Sequence, residues 1–316
     1  MAYPIEKKLV VGISANSLFD LAKEDAIFRD EGLDAYKKIQ IEKKKEILPK
    51  GVAFPFIKRL LNINDIYSEE NPIEVVLLSK NSPETGIRIF NSIKHYKLDI
   101  TRAAFMSGKP AINYIPAFNV SLFLSTSNED VGNALKLKYA AGRVISTKIS
   151  DDDNDVSELR VAFDFDGVIA DDEAEKIYQK VGIDKYYEYE TLHSQKALSP
   201  GPLADFFKKI SFFQKLESKK ETQDPNYKKI LKTSIVTARN SPAHERAVYT
   251  LNNWGVSIDE MFLLGGVEKR RVLEIMKPHL YFDDQLIHLD EKIQNIPLVH
   301  IPFGIQNITV QNQNQK

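Results

Sequence analysis

The sequence predicts an α/β protein built on doubly wound parallel sheet, and three observations carry that expectation. Short apolar runs of strand length alternate along the chain with segments of helical character. One such run, Arg160-Val-Ala-Phe-Asp-Phe-Asp-Gly-Val-Ile169, reads as a buried strand whose carboxyl end releases two carboxylates into a glycine turn. The two halves of the chain also repeat one another. Leu77-Leu-Ser-Lys-Asn-Ser-Pro83 aligns with Val236-Thr-Ala-Arg-Asn-Ser-Pro242, Ile100–Gly108 with Ile258–Gly266, and Leu122-Phe-Leu-Ser-Thr126 with Leu280-Tyr-Phe-Asp-Asp284. The first strands match as Val10–Ala15 against Val161–Asp166. Four segments in constant order point to a duplication.

Taken in order, a strand is expected at Lys8–Ile13, followed by a Lys/Glu-rich helix around Asp34–Ile47 with a solvated face, then Phe56–Leu61. A strand at Glu74–Leu78 leads into a helix opened by Ser82-Pro83-Glu84 and running to about Tyr96. Strands follow at Arg102–Met106 and Val120–Ser125. The acidic Ser150-Asp-Asp-Asp-Asn-Asp155 reads as a linker. It divides a degenerate Rossmann-like repeat at 1–150 from a second core at 151–305. That core restarts with Leu159–Phe165 and continues through strands at Ser234–Val236 and Leu280–Phe282. Lys219–Asn226 reads as a polar loop and Gln306–Lys316 as a disordered Gln/Asn-rich tail. Asn307-Ile-Thr309 matches a glycosylation sequon for which a cytosolic chain has no use.

A chain of 316 residues, 43% hydrophobic and 28% charged, has room for about two domains. Forty-three basic against forty-four acidic residues give a net charge of −1, so no global field favours nucleic acid or an anionic membrane. Small-molecule partners are expected, and an assembly of identical chains stays open. The absence of cysteine excludes disulfides, thiolate zinc sites and cysteine nucleophiles, and fits a reducing compartment. Met1–Lys8 lacks the apolar core of a signal peptide, and no run approaches the roughly 20 apolar residues of a membrane span. A cytoplasmic protein is therefore expected.

The chemistry concentrates in the second half. Asp164 and Asp166 leave their strand together, Thr237 ends the next, Lys269 follows the Gly265-Gly266 turn, and Asp283-Asp284 follow Leu280–Phe282. Each falls where a parallel strand delivers side chains to one rim. A phosphate monoester requires an oxygen nucleophile, an acid for the leaving alkoxide, cations for the phosphoryl oxygens and a metal, and this set fills all four roles. Crowded carboxylates in a cleft repel unless a divalent cation or Lys269 neutralises them, which makes oxygen-ligated Mg²⁺ the natural occupant.

This ordered set resembles the four motifs of the haloacid dehalogenase superfamily. More narrowly, Leu78-Ser-Lys-Asn81, Arg88–Tyr96, Leu159-Arg-Val-Ala-Phe-Asp164, Gly201-Pro-Leu203, Val236-Thr-Ala-Arg239, Trp254-Gly255 and Pro278–Gln285 resemble the cytosolic class I 5′-nucleotidases, from about Lys8 to Gly304. Where animal members carry Phe-Asp-Gly-Asp-Ala, this chain has Phe163-Asp-Phe-Asp-Gly167 and keeps both Asp positions.

The resemblance implies a haloacid dehalogenase-like core with a small cap at about 172–200 and Mg²⁺-dependent hydrolysis of nucleoside 5′-monophosphates, typically AMP and deoxynucleotides. By the same transfer Asp164 is the nucleophile and Asp166 the acid and base. Thr237 and Lys269 hold phosphoryl oxygens; Asp164, the Asp166 carbonyl, and Asp283 or Asp284 hold the metal. Arg239, Lys80, Asn81, Lys109, His193 and Lys196 are candidate substrate contacts, while Asp171, Asp172 and Glu173 read as helix-start acids and His95 and Trp254 as packing residues. The duplication sets Ile13 and Ala15 opposite Asp164 and Asp166, leaving the first half metal-free. That half is expected to shape the nucleoside pocket through Lys80, Ser107-Gly108 and Lys109, with a regulatory nucleotide as the alternative. Two other functions stay open: a phosphatase of the same superfamily acting on another small phosphoester, and a non-enzymatic nucleotide-binding or assembly protein.

Overall fold

The computed structural model describes residues 3–145, 149, 158–290 and 292–307. They fall into two compact units, the first ending at Tyr139 and the second beginning at Ala140. The expected linker at 150–155 lies outside the described residues.

The first unit runs β1 (Leu9–Ile13), α1 (Ala15–Leu18), α2 (Ala22–Glu31), α3 (Leu33–Glu42), α4 (Phe54–Ile66), β2 (Ile73–Ser79), α5 (Pro83–His95), β3 (Arg102–Phe105), β4 (Val120–Ser125) and α6 (Asn128–Lys136). Its strands pair in parallel in the order β3-β2-β1-β4. β1 and β2 are buried along their whole length, as expected for strands covered on both faces.

The second unit opens with β5 (Ala141–Val144) and continues through β6 (Leu159–Phe163), α7 (Glu173–Val181), α8 (Ile183–Leu192), α9 (Ala204–Gln223), β7 (Leu231–Thr237), α10 (His244–Asn253), β8 (Glu260–Leu263), α11 (Lys269–Met276), β9 (Leu280–Asp283) and β10 (Leu298–His300). The order β8-β7-β6-β9 repeats that of the first unit, again all parallel. β10 extends it in parallel and β5 pairs antiparallel with β10, so the unit boundary falls before β5 and not at residue 150. This mixed α/β architecture fits the haloacid dehalogenase-like doubly wound fold.

The repeat extends into the small helices. Gly32, at φ +87°, separates α2 from α3, as Gly182, at φ +77°, separates α7 from α8. In each unit a buried arginine clamps the helical pair to the core. Arg88 donates from Nη1 to Glu24 at 2.6 Å and to Gln40 at 3.2 Å, and from Nε to the Glu46 carbonyl. Arg246 donates to Glu190 at 2.9 Å, to Glu173 at 3.0 Å and to the Lys196 carbonyl. Ser92 and Thr250 then accept from the Leu48 and Leu198 amides respectively.

The register differs from the sequence alignment by one residue at two places. Asp164 N donates to the Phe282 carbonyl as Ser14 N donates to Leu124, so Ser14 and Asn16, not Ile13 and Ala15, stand opposite Asp164 and Asp166. Ser79 and Thr237 both end their strands and accept from the amide two residues on, so Thr237 faces Ser79 and not Leu78. The shared Asn-Ser-Pro misleads because the second copy carries one extra residue between strand end and proline.

Three local expectations also shift. α9 continues through Lys219–Gln223, good helix-forming sequence, with the Glu217 carboxylate taking the Ile230 and Leu231 amides of the returning chain. Gln306 and Asn307 are ordered: Gln306 donates to Glu175, and the Asn307 side chain donates to the Asp284 and Phe303 carbonyls. The remaining tail lies outside the described residues. His95 is exposed, resting edge-on against Tyr96 at 5.0 Å, whereas Trp254 is half-buried and packs under Lys208, as expected. No helix among the described residues is long and apolar enough to cross a membrane.

Candidate active site

β6 delivers the first carboxylates because its end is fixed by aromatic packing. Phe163 stacks on Phe282 at 5.0 Å and meets Phe207 edge-on, and all three are buried. Asp164 follows at once, 5% exposed, with Oδ1 accepting the Phe165 amide at 2.7 Å. Gly167 turns the chain at φ +75°, and a Cβ there would stand 2.5 Å from Asp284 Oδ2, so glycine is what lets Asp284 approach. Thr237 ends β7, Lys269 begins α11 and Asp283 ends β9. The carboxyl ends of parallel strands thus bring the sequence-predicted core together.

One ammonium serves several acids. Lys269 Nζ lies 2.8 Å from Asp164 Oδ2 and 2.7 Å from Asp283 Oδ2, with all three side chains buried. Tyr281 donates to Asp283 at 2.5 Å, and His288 Nδ1 lies 3.3 Å from it. Burial pushes Asp164 up to about 7 against the pull of Lys269. Burial, together with the Asp164 and Asp283 charges, pushes Asp284 up to about 9. Asp283 is also buried, but Lys269 and His288 hold it below the usual carboxylate range. Such a cluster is short of positive charge. Asp284 Oδ1 is buried with no hydrogen-bond partner, and oxygens of Asp164 and Asp283 lie within 4.8 Å of one another and of a His288 ring nitrogen. An orphaned carboxylate oxygen beside hard donors fits a divalent cation.

Arg239 meets a carboxylate. Nε and Nη2 donate to the two oxygens of Asp166 at 2.7 and 2.8 Å, while Nη1 donates to Glu190 and to the Ala243 carbonyl. Both Asp166 side-chain oxygens are thereby engaged, which leaves its carbonyl as the part suited to metal. The Asp166 and Glu190 charges hold Arg239 firmly protonated in spite of its burial.

The pocket over these groups has a volume of about 450 Å³, and every residue lining it belongs to the second unit. Asp164, Asp166, Thr237, Arg239 and Lys269 form its floor, and Tyr178, Tyr186 and Tyr187 its wall. His193 and Lys196 are not among the lining residues. His193 stacks on Tyr189 at 4.0 Å, and Lys196 gives its carbonyl to Arg246. Lys80 and Asn81 line a separate pocket in the first unit, and Lys109 lines neither. The Ser107 and Gly108 amides are spent on the Asn81 and Lys80 carbonyls. Asp172 is held by Lys176 and the Ile305 amide, and Glu173 by Arg246 and Tyr189.

His288, Gln285, Glu190 and the three tyrosines escaped sequence reasoning. The density of tyrosine between Tyr178 and Tyr189 was the available signal for the wall, and the place of His288 five residues after Asp283 for the metal side.

No solved structure matches the chain. Human cytosolic 5′-nucleotidase 1B is 32% identical over 292 residues, covering 89% of this chain and 47% of that protein. The chain thus spans about half the length of the curated relative it matches. A model of the 5′-nucleotidase family matches residues 1–308, through both units and every strand-end acid of the pocket, so the chain belongs to the 5′-nucleotidase family.

Proposed function

We infer that the chain hydrolyses nucleoside 5′-monophosphates, AMP and deoxynucleotides among them, to nucleoside and phosphate with Mg²⁺ as cofactor. The convergence of Asp164, Asp166, Thr237 and Lys269 beneath a tyrosine wall carries this reading. A volume near 450 Å³ falls in the range of small-ligand sites. Asp164 attacks phosphorus in line, the bond to the 5′-oxygen breaks, and an aspartyl phosphate forms. Asp166, once a proton replaces one of its two Arg239 hydrogen bonds, gives that proton to the departing 5′-oxygen and takes one from the water that then hydrolyses the aspartyl phosphate. Arg239 is a positioning residue: by gripping both Asp166 oxygens and Glu190 behind them, it fixes where that proton is exchanged. Thr237 and Lys269 receive the phosphoryl oxygens.

Asp164, Asp283 and Asp284, with the Asp166 carbonyl and His288 alongside, would hold Mg²⁺, which when bound neutralises the cluster and polarises the phosphoryl group. The tyrosines offer rings for a base to stack against. The cytosolic name of the human relative supports a cytoplasmic setting, and the cysteine-free composition fits one.

The test is a phosphate-release screen over nucleoside 5′-monophosphates and sugar phosphates, with Mg²⁺ and with chelator. Turnover of nucleotides that depends on the base and stops in chelator is expected. Equal turnover of sugar phosphates would assign the chain to general phosphatases, and binding without release would remove the enzyme reading.

A further inference from the structure

The first unit holds a pocket of about 460 Å³ at the place corresponding to the catalytic pocket, lined by residues of that unit alone. The shared strand order makes the correspondence residue by residue. Ser14 stands for Asp164, Asn16 for Asp166, Ser79 for Thr237, and Ser125 and Thr126 for Asp283 and Asp284, while Ala111 falls at the place of Lys269 when the β3 and β8 register is carried past the strand ends. Every charged group of the catalytic floor has become a neutral one. The wall survives: Phe28 and Tyr36 meet edge-on at 6.0 Å, as Tyr178 and Tyr186 do at 6.1 Å.

The replaced floor is poised to donate. Ser79 Oγ already accepts the Asn81 amide and Ser125 Oγ the Ser127 amide, which leaves each hydroxyl its proton to give. Tyr36 donates to Asn81 Oδ1, while Asn81 Nδ2 is buried with no hydrogen-bond partner. Lys80 adds an ammonium, held by Asp130 at 2.8 Å. The other pocket carboxylate, Asp25, accepts from Asn16 at 2.6 Å. An orphaned amide donor, free hydroxyl protons and a cation call for an acceptor-rich ligand, and the aromatic wall calls for a ring.

We propose that the first-unit pocket is a metal-independent site that binds a nucleoside monophosphate and does not hydrolyse it. Without a carboxylate at position 14 there is no nucleophile, and with neutral side chains at 14, 125 and 126 the phosphate meets no acidic cluster that a cation must first neutralise. The ligand class rests on the catalytic reading above, through the aromatic wall that each pocket has of its own.

The experiment is equilibrium dialysis of the full chain, in excess EDTA, against each ribo- and deoxyribonucleoside 5′-monophosphate, with Mg²⁺-dependent phosphate release measured on the same preparations. At least one monophosphate should bind once per chain. The Asp164→Asn/Lys269→Ala protein should retain that binding, while Ser14→Asp and Lys80→Glu each weaken it about tenfold or more by bringing negative charge to the phosphate. Ser79→Ala, which removes one hydroxyl and brings no charge, should weaken it about three- to tenfold and covers the case in which the charged variants fail to fold. Absence of binding in EDTA, or binding that ignores the first-unit variants and vanishes in the Asp164/Lys269 protein, overturns the proposal. Hydrolysis without EDTA-resistant binding sinks the site alone; EDTA-resistant binding without hydrolysis sinks the catalytic reading alone.

Discussion

Asp164 and Asp166 leave the same strand end two residues apart, yet their surroundings differ sharply. Asp164 shares Lys269 with Asp283, and Asp166 is gripped through both oxygens by Arg239. Asp164→Asn should therefore abolish phosphate release in a folded protein, because it removes the attacking oxygen and a metal donor together; substantial turnover would take Asp164 out of the role. Asp166→Asn should lower kcat on nucleotides by about 100-fold or more but affect aryl phosphates much less, since a good leaving group needs little protonation. Equal losses on both substrates would count against a general acid. The metal-free cluster also makes a pH prediction. Asp164 near 7 and Asp284 near 9 keep protons in the folded chain that the unfolded chain has released, so stability in EDTA falls as pH rises from about 4 to 9, Asp164 contributing up to about 7 and Asp284 over the whole range. Mg²⁺ has to displace those protons, so its affinity should rise over the same interval and its binding should release protons to the buffer. Melting temperatures in EDTA and calorimetry in buffers of different ionisation enthalpy check both signs. These acids were legible in the sequence because strand ends fix them within a few residues of local chain. The Arg239–Asp166–Glu190 arrangement was not, since it joins residues 73 and 49 positions apart through the fold.

At the scale of elements, α7 and α8 are tied to the second unit by Arg246, whose guanidinium reaches Glu190, Glu173 and the Lys196 carbonyl. Glu190 is fully buried and shares its carboxylate between Arg246 and Arg239. Arg246→Met should cost about 3 kcal/mol of unfolding free energy, because removing one partner strands buried charge, and denaturant titration measures it. The loss should also reach the active site, as Glu190 supports the arginine that holds Asp166. A stability change below about 0.5 kcal/mol would make the clamp incidental. Helix pairs of this kind were only partly legible. The resemblance marked about 172–200 as a cap by its position between motifs, but amphipathic patterning does not say which polar groups turn inward to meet an arginine. Lys219–Gln223 reads as loop for a related reason: Lys219-Lys-Glu221 fits a solvated helix or a polar loop equally until Glu217 is seen to hold the returning strand.

One strand order is used twice along the chain, and the two copies differ at a handful of strand-end side chains while the scaffold is the same. Strand order, Gly32 and Gly182, and the Arg88 and Arg246 clamps persist because they are conditions for folding. Asp164 and Asp284 are held at raised pKa values in the absence of cation, so ionising them costs stability, whereas Asp283 is held ionised by Lys269 and His288. The repeat was visible in sequence for the same reason, through its apolar strands, although the one-residue slip at the strand ends needed hydrogen bonds to correct. This asymmetry can be read directly by hydrogen exchange with Mg²⁺ as the sole addition. Amides at 164–168 and 283–288 should exchange more slowly when the cation is present, because ligation draws the Asp284 and Gly167 segments together and suppresses local opening. The matching amides at 14–18 and 125–130 should be unchanged, since Ser14, Ser125 and Thr126 offer no carboxylate. Protection in both copies would mean that the first unit has kept a cation site through donors other than these, and protection in neither would remove Mg²⁺ from the second.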